Sequence, residues 1–380
     1  MRRSAPLAVF LACAPGGGAT EDAGSSVSSG TSEATSGGTS GGAGASSSTG
    51  APTTGEGTGA DETTGAPTTG TSGASETDPS STGAPAPDPR LAALETYAPR
   101  VWLHPDEEYF PSSVEFAFGH MTRFQDDQSQ HWIRSTAALE SPSDTLDFFA
   151  GDLAGAPVYA FYADKGGGVV DLVYFFWFPY NRGKSVVDTI WGNHVGDWEH
   201  ITVRLLRQPD ESLLPQQVYL SAHSFGGAYG WDEVERHAET HPVVYAAWGS
   251  HGLWSAPGDH VYMTIGEEVL GVCVTIVCAD LTDETAAGIA WDTWERVAGF
   301  DYGAKEGLGG ESWPVWMSDA FTEPGAPPPE VPGGGPIYRW GNAEDCSTLG
   351  VDISDLIGVC RLEDGPTGPV SKDTWGPELM

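Results

Sequence analysis

Between Phe10 and Tyr97 the chain has no aromatic residue, and that gap decides where a folded core can lie. Of the 14 Trp, 12 Tyr and 14 Phe in 380 residues, Phe10 alone precedes Tyr97. Residues 14–89 are Gly, Ser, Thr, Ala and Pro with scattered acids. Such a stretch buries too little apolar surface to offset its conformational entropy. It is expected to be a disordered linker, and residues 90–380 a single large folded domain. A hydrophobic share of 39 % rules out a collagen-like fibre, a coiled coil or a multi-span membrane protein.

Charge narrows the partners. The chain carries 53 acids against 17 Lys and Arg, a net charge of −36. A surface that acidic repels phosphate backbones, so no nucleic acid is expected; it suits cations or neutral ligands such as glycans. Met1-Arg2-Arg3, the apolar run Ala5 to Ala12 and then Cys13 read as a lipoprotein-type signal over residues 1–13, with Phe10 where that signal usually has Leu. The expectation is a bacterial cell-envelope lipoprotein anchored in the membrane through Cys13, or a secreted protein, and a monomer. Thr-Gly-Ala-Pro recurs at Thr49, Thr64 and Thr82, consistent with a hydrated tether. The formal Gly38-x-Ser40-x-Gly42 match lies inside this tract, without strand or helix around it, and is composition only. Cys273, Cys278, Cys346 and Cys360 remain, an even number that favours two disulfides with the connectivity open.

From Tyr97 on, short alternating or apolar runs rich in Val, Tyr, Phe and Trp, broken by Gly, Pro, Asn and Asp, predict an all-β fold, an antiparallel β-sandwich with long loops. Leu172–Phe178 is apolar at nearly every position and should be a central strand buried on both faces. Ser113–Phe118 also reads as strand, whereas Ser143–Phe149 and Asp283–Arg296 carry weak helical patterns. Pro324–Pro336 is a Pro/Gly loop.

The chemistry concentrates at Asn193-His194-Val195-Gly196-Asp197-Trp198-Glu199-His200. With a strand period of two, Asp197, Glu199, Ile201, Val203 and Leu205 share one face, while Trp198, His200, Thr202 and Arg204 share the other. Two carboxylates therefore open a face that continues as pure core. Either the strand end is solvated, or something positive joins them. His194 stands at a Gly-hinged turn from which its ring can reach the same side, giving a candidate shell for a divalent cation, Ca, Mg or Mn. Asp188, His223 and His251 are the further candidate ligands. Ser250 adjoins His251, but strand neighbours point to opposite faces, which argues against a nucleophile–base pair.

Tyr97-Ala98-Pro99-Arg100-Val101-Trp102-Leu103-His104-Pro105, Trp177-Phe178-Pro179-Tyr180-Asn181, the Asn193–His200 stretch and His241-Pro242-Val243-Val244-Tyr245 leading to Gly249-Ser250-His251 resemble the vacuolar protein sorting-associated protein 62 family. That family name implies no defined biochemistry. Locally, His194-x-x-Asp197-Trp198-Glu199 is similar to the signature of the necrosis- and ethylene-inducing peptide family. This second resemblance implies a β-sandwich in which His194, Asp197 and Glu199 ligate a divalent cation that engages a glycan or lipid headgroup. That signature has a second His where this chain has Gly196, and an upstream Asp for which Asp188 is the nearest match. The expected function is thus an exported binding protein for a cation and a glycan or lipid headgroup. A metal-assisted hydrolase using His200, His223 or His251 as proton shuttle is the rival, and a surface protein without ligand is the third reading.

Overall fold

The computed structural model describes residues 87–380, apart from 129, 136–146, 187–188, 224, 266–267, 270–271, 274–278, 318–337, 349–350 and 353–358. The chain divides into two compact units at Pro79/Ser80, and every described residue belongs to the second. The expected linker up to residue 86, the Pro324–Pro336 loop and the candidate ligand Asp188 therefore lie outside the described residues.

The folded unit opens with α1 (Pro89–Thr96), which starts where the linker composition stops. Asp88 caps it by accepting the Arg90 backbone N–H at 2.8 Å, and Pro89 occupies the first turn, where its missing N–H costs nothing. The elements that follow are β1 (Arg100–Leu103), α2 (Val114–Phe118), β2 (Met121–Gln125), β3 (His131–Ser135), β4 (Val158–Gly166), β5 (Val169–Asn181), β6 (His194–Arg207), β7 (Leu213–Ala222), β8 (Phe225–Gly230), β9 (His241–Ala246), β10 (Gly258–Ile265), β11 (Ala279–Thr285), β12 (Ile289–Asp292), β13 (Val297–Asp301) and β14 (Tyr338–Trp340). Shorter strands join them.

Strands dominate, as the alternation predicts, and they form a layered sandwich. A seven-stranded sheet runs β8-β7-β6-β5-β4-β13 and ends on the short strand Glu306–Gly307. One of its faces packs Leu172, Tyr174, Phe176 and Phe178 with Ile201, Val203 and Leu205 against α1 and the β9-β1-β12 sheet. The other packs Phe175, Trp177 and Trp198 against α2 and the β2-β3-β14 sheet. The unbroken apolar run of β5 thus fills two cores. Most pairs are antiparallel, but β1–β9, β4–β13 and β3–β14 are parallel, each closing a long crossover.

Two local expectations are corrected. Ser113–Phe118 is helix rather than strand, because the Ser113 hydroxyl accepts the Phe116 N–H at 3.0 Å and nucleates a turn. Asp283–Arg296 is strand, turn, strand and a 3-10 turn, because the chain pairs on both sides of Gly288, with β10 before it and β1 after. Of Ser143–Phe149, the described residues enter a 3-10 turn at Asp147–Ala150.

Cys346 is bonded to Cys360, their Cα atoms 4.4 Å apart, whereas Cys278 lies outside the described residues. The bond anchors a segment that clamps the entry to β6. Gly192 N donates to Cys360 O at 2.9 Å, Asn193 N to Arg361 O at 3.2 Å, and Glu363 N to Asn193 O at 2.7 Å. Alkylation of the oxidised protein before mass analysis should leave Cys346 and Cys360 unlabelled; label at either would remove this clamp.

An acidic cavity at the open end of the central strand

β5 pairs with β6 along its whole length, from Val169 opposite Leu206 to Asn181 opposite His194. β7 pairs with β6 only as far as Ile201 opposite Leu220, then leaves to form its hairpin with β8. The next backbone donor, His200 N, is taken instead by the Ser221 hydroxyl at 2.7 Å. From there back to His194 the outer edge of β6 has no strand beside it among the described residues. A cavity of about 160 Å³ opens in that gap, bordered by Glu199, His200, Tyr219, Ser221, His223 and Lys372.

The period of two places Asp197 and Glu199 as expected, on the face that continues as Ile201, Val203 and Leu205, and they are only 6 % and 5 % exposed. Each is held differently. Asp197 Oδ2 accepts Nδ1 of His251 at 3.2 Å. Nε2 of the same ring donates to the Tyr109 carbonyl at 3.0 Å and lies 3.8 Å from Glu107 Oε1. With an acceptor at each nitrogen, His251 is satisfied only as an imidazolium. Burial disfavours that charge, but the hydrogen bonds and charges of Asp197 and Glu107 outweigh it and raise the His251 pKa to about 9. The ring is clamped flat against Phe178, centroids 3.8 Å apart.

Glu199 Oε2 accepts the Ser221 hydroxyl. Burial and the neighbouring Asp197 charge push its pKa well above the usual carboxylate range. Burial acts on Asp197 in the same sense, but the His251 hydrogen bond outweighs it and holds that carboxyl below its ordinary value. Burial thus works against ionisation at Glu199, while the His251 contact favours it at Asp197. Half-buried His194 donates from Nδ1 to the Gly196 carbonyl at 2.7 Å, which fixes the tautomer with the lone pair on Nε2. Burial, against the pull of Asp197, keeps this ring neutral.

Gly196 explains why the second His of the resembled signature is missing. Its φ is +74°, and a Cβ there would stand 2.2 Å from the Trp340 carbonyl and 2.4 Å from Trp177 Cη2. No side chain fits.

His223 is drawn to another centre. Its Nε2 donates to Asp283 Oδ2 at 2.9 Å, and its ring stacks on Tyr262 at 3.8 Å. Asp283, fully buried, also accepts Ser250 Oγ at 2.6 Å and Trp254 Nε1 at 3.0 Å, with Lys184 Nζ 3.3 Å away. Ser250 and His251 thus turn to different carboxylates, as strand alternation implies, and no Ser-His pair forms. Among the described residues, the group of three metal-ligating side chains whose atoms lie within 4.8 Å of one another is Glu344, Cys346 and Cys360, where the two cysteines are bonded to each other. His194, Asp197 and Glu199 stand further apart than that.

Sequence reasoning missed Glu107, Ser221, Asp283 and Lys372. Ser221 was within reach, because Tyr219, Ser221 and His223 occupy alternate positions and all three border the cavity. Glu107 sits in the acidic loop Asp106-Glu107-Glu108, where no periodicity singles it out.

Fold and site together define an all-β module with a histidine-ringed acidic cavity at one end of its central sheet. The chain belongs to the vacuolar protein sorting-associated protein 62 family, whose profile matches residues 73–279. It is 29 % identical over 188 residues to vacuolar protein sorting-associated protein 62 of Saccharomyces cerevisiae, covering 46 % of this chain and 35 % of that protein. To the putative vacuolar protein sorting-associated protein TDA6 of the same yeast it is 27 % identical over 205 residues, covering 49 % and 38 %. The chain therefore spans little more than a third of the length of these curated relatives. Both are eukaryotic proteins, and this overturns the bacterial envelope lipoprotein expected from Met1–Cys13: a short basic start and an apolar run before a cysteine are too few residues to specify that export route. Among solved structures, necrosis and ethylene inducing protein 2 from the causal agent of cocoa's witches' broom disease matches with 20 % identity and a TM-score of 0.27, over 43 % of this chain and 67 % of that one. A related structure in complex with mannosamine matches with 17 % identity and a TM-score of 0.29, over 45 % and 70 %. These overlaps are too partial to carry ligand or mechanism across.

Proposed function

We propose that this chain is a binding module, not an enzyme, which takes a divalent cation through His194, Asp197 and Glu199 and uses it to hold hydroxyl groups of a glycan or lipid headgroup. One observation carries the reading. Two buried carboxylates stand two residues apart on one strand face, and among the described residues neither has a Lys or Arg nitrogen within 4 Å. Burying two carboxylates is costly, and the one cationic partner in reach among the described residues, the His251 imidazolium, pairs with Asp197 and leaves Glu199 with none.

The donor set fits an ion of the Ca, Mg or Mn type, which prefers oxygen with at most an imidazole added. Only one oxygen of each carboxylate is engaged, Oδ2 of Asp197 and Oε2 of Glu199, and His194 keeps its Nε2 lone pair. The three do not form a closed shell by themselves, but they stand on a strand end with an open edge, where side chains have room to turn. The ion would supply a Lewis-acidic anchor for ligand oxygens. The protein's own part is to hold Asp197 ionised through His251 and to offer the half-buried ring of Tyr219 at the cavity, as a surface for an apolar sugar face.

Thermal melts with chelator and with added Ca²⁺, Mg²⁺ or Mn²⁺ test this. At a hundredfold excess over the dissociation constant, the binding ion should add about 2.7 kcal/mol of stability. Both Asp197→Asn and Glu199→Gln should remove most of that gain. Glu199→Gln should leave the chelated protein at least as stable, since burial already disfavours a charge there. Asp197→Asn should also lower the stability of the chelated protein, because it strips the buried His251 imidazolium of its hydrogen-bonded counter-ion. Identical wild-type melts under all conditions, with no metal found in the purified protein, would defeat the reading.

A further inference from the structure

Lys372 is the one Lys or Arg bordering the cavity, and its ammonium makes no hydrogen bond and no ion pair within 4 Å among the described residues. That contrasts with the other lysines that reach inward. Lys165 is saturated by the Thr374 and Gly376 carbonyls at 2.7 and 2.8 Å, and Lys184 by the Trp248 carbonyl at 2.9 Å and Asp283. Across the same cavity, His200 is 94 % buried, and its ring nitrogens make no hydrogen bond of ordinary geometry among the described residues, the backbone of Met380 at the cavity acting on them only weakly. Phe175 backs the ring at 5.1 Å and Tyr219 flanks it at 5.5 Å. A buried imidazole held this weakly is uncommon and costs free energy unless a bound group satisfies it.

The surrounding charges leave room for an anion. Asp197 is neutralised by His251, Glu199 is hydrogen-bonded to Ser221, and Asp373 is exposed at the rim. Lys372 offers three donors, and neutral His200 offers one donor and one acceptor. That set suits an oxyanion carried next to hydroxyl groups, and it exceeds what a neutral sugar needs.

We propose that Lys372 and His200, with Tyr219, form a subsite for a carboxylate or phosphate group borne by a hydroxyl-rich ligand, so that the module selects anionic polyols over neutral ones. The inference rests on the cavity being the ligand site, and it names the class of ligand taken there. Lys372 acts by charge-assisted hydrogen bonding to the oxyanion, which is the specificity-determining contact.

Equilibrium binding of glucose, glucuronic acid and glucose 6-phosphate to the full chain, each with Ca²⁺ and with chelator, tests it. Wild type should prefer the two charged probes about tenfold, the effect of one charge-assisted hydrogen bond. Lys372→Met should bring the ratio of charged to neutral affinity to about one, and Lys372→Arg should keep it. A wild type without preference, a preference that survives Lys372→Met, or no binding of any probe overturns the subsite. The chelator arm separates the two readings. If chelation changes nothing while Lys372→Met erases the preference, the cation site fails and the subsite stands; the reverse pattern does the opposite. Vesicles with and without phosphatidylinositol then distinguish a lipid headgroup from a soluble ligand as the source of the same chemistry.

Discussion

Asp283→Asn should destabilise the domain by about 3–5 kcal/mol, the largest effect expected of any conservative substitution in this molecule. The carboxylate is fully buried and accepts from His223, Ser250 and Trp254, with the Lys184 ammonium 3.3 Å away. An amide of the same shape puts two donors where donors already converge and leaves the Lys184 charge without its counter-ion. The pH dependence has a definite sign. Burial opposes ionisation of Asp283, but the His223 hydrogen bond and the charges of His223 and Lys184 outweigh it and hold the pKa far below the usual carboxylate range. A depressed native pKa stabilises the fold fully above the unfolded value, about 3.9, and the contribution is lost as pH falls through the native one. Urea unfolding of wild type and variant should therefore differ most near neutrality, and the gap should begin to narrow only below about pH 4 and close as pH falls through the native value. An equal gap at pH 7 and pH 3 would mean that packing, not the charge, is what Asp283 provides.

Gly196→Ala comes second, at about 3 kcal/mol, combining the left-handed backbone cost with overpacking against groups that cannot yield. The Cβ would meet a backbone carbonyl, that of Trp340, and the ring of Trp177 in the middle of the second core. Gly192 provides the internal control. Its φ is +83°, but nothing lies within 4 Å of a Cβ there, so Gly192→Ala should cost only about 1 kcal/mol. Denaturant midpoints of the two variants isolate the clash from the backbone strain, and equal losses would show that the Trp340 carbonyl moves aside.

How far the sequence reaches can be read from single strands. In β6 the period of two puts Asp197 and Glu199 on the face of Ile201, Val203 and Leu205, but because both faces of that strand are buried, the pattern alone leaves open whether its end is solvated. In β5 the absence of alternation is itself the signal, because a strand between two cores has no polar face. The Ser113–Phe118 helix escaped because the capping hydroxyl of Ser113, with the helix formers Glu115 and Ala117, outweighs the β-prone Val114, Phe116 and Phe118. Asp283 escaped because a charged residue in a weak helical pattern looks solvated, and only the closed fold brings His223, Ser250, Trp254 and Lys184 around it. Lys372 lies 173 residues beyond Glu199 in the chain, and no local pattern links positions that only the closed fold brings to one cavity.

The crossover pairings have a consequence for how this chain must be made. β4 to β8 form a meander of near neighbours that can zip up early, yet β1 waits for residues 243–245 and 289–292, and β3 waits for Tyr338–Trp340. At ribosomal rates of roughly 5–20 residues per second, on the order of 10–30 s separates synthesis of β5 from that of the strand completing its second cover. During that interval the Val169–Asn181 run, the most apolar strand of the molecule, is held only by its hairpin partners. Long-range closure of this kind is slow and exposes strand surface to other nascent chains. The strand that carries the site's framework is thus also the one most dependent on protection while the protein is being born.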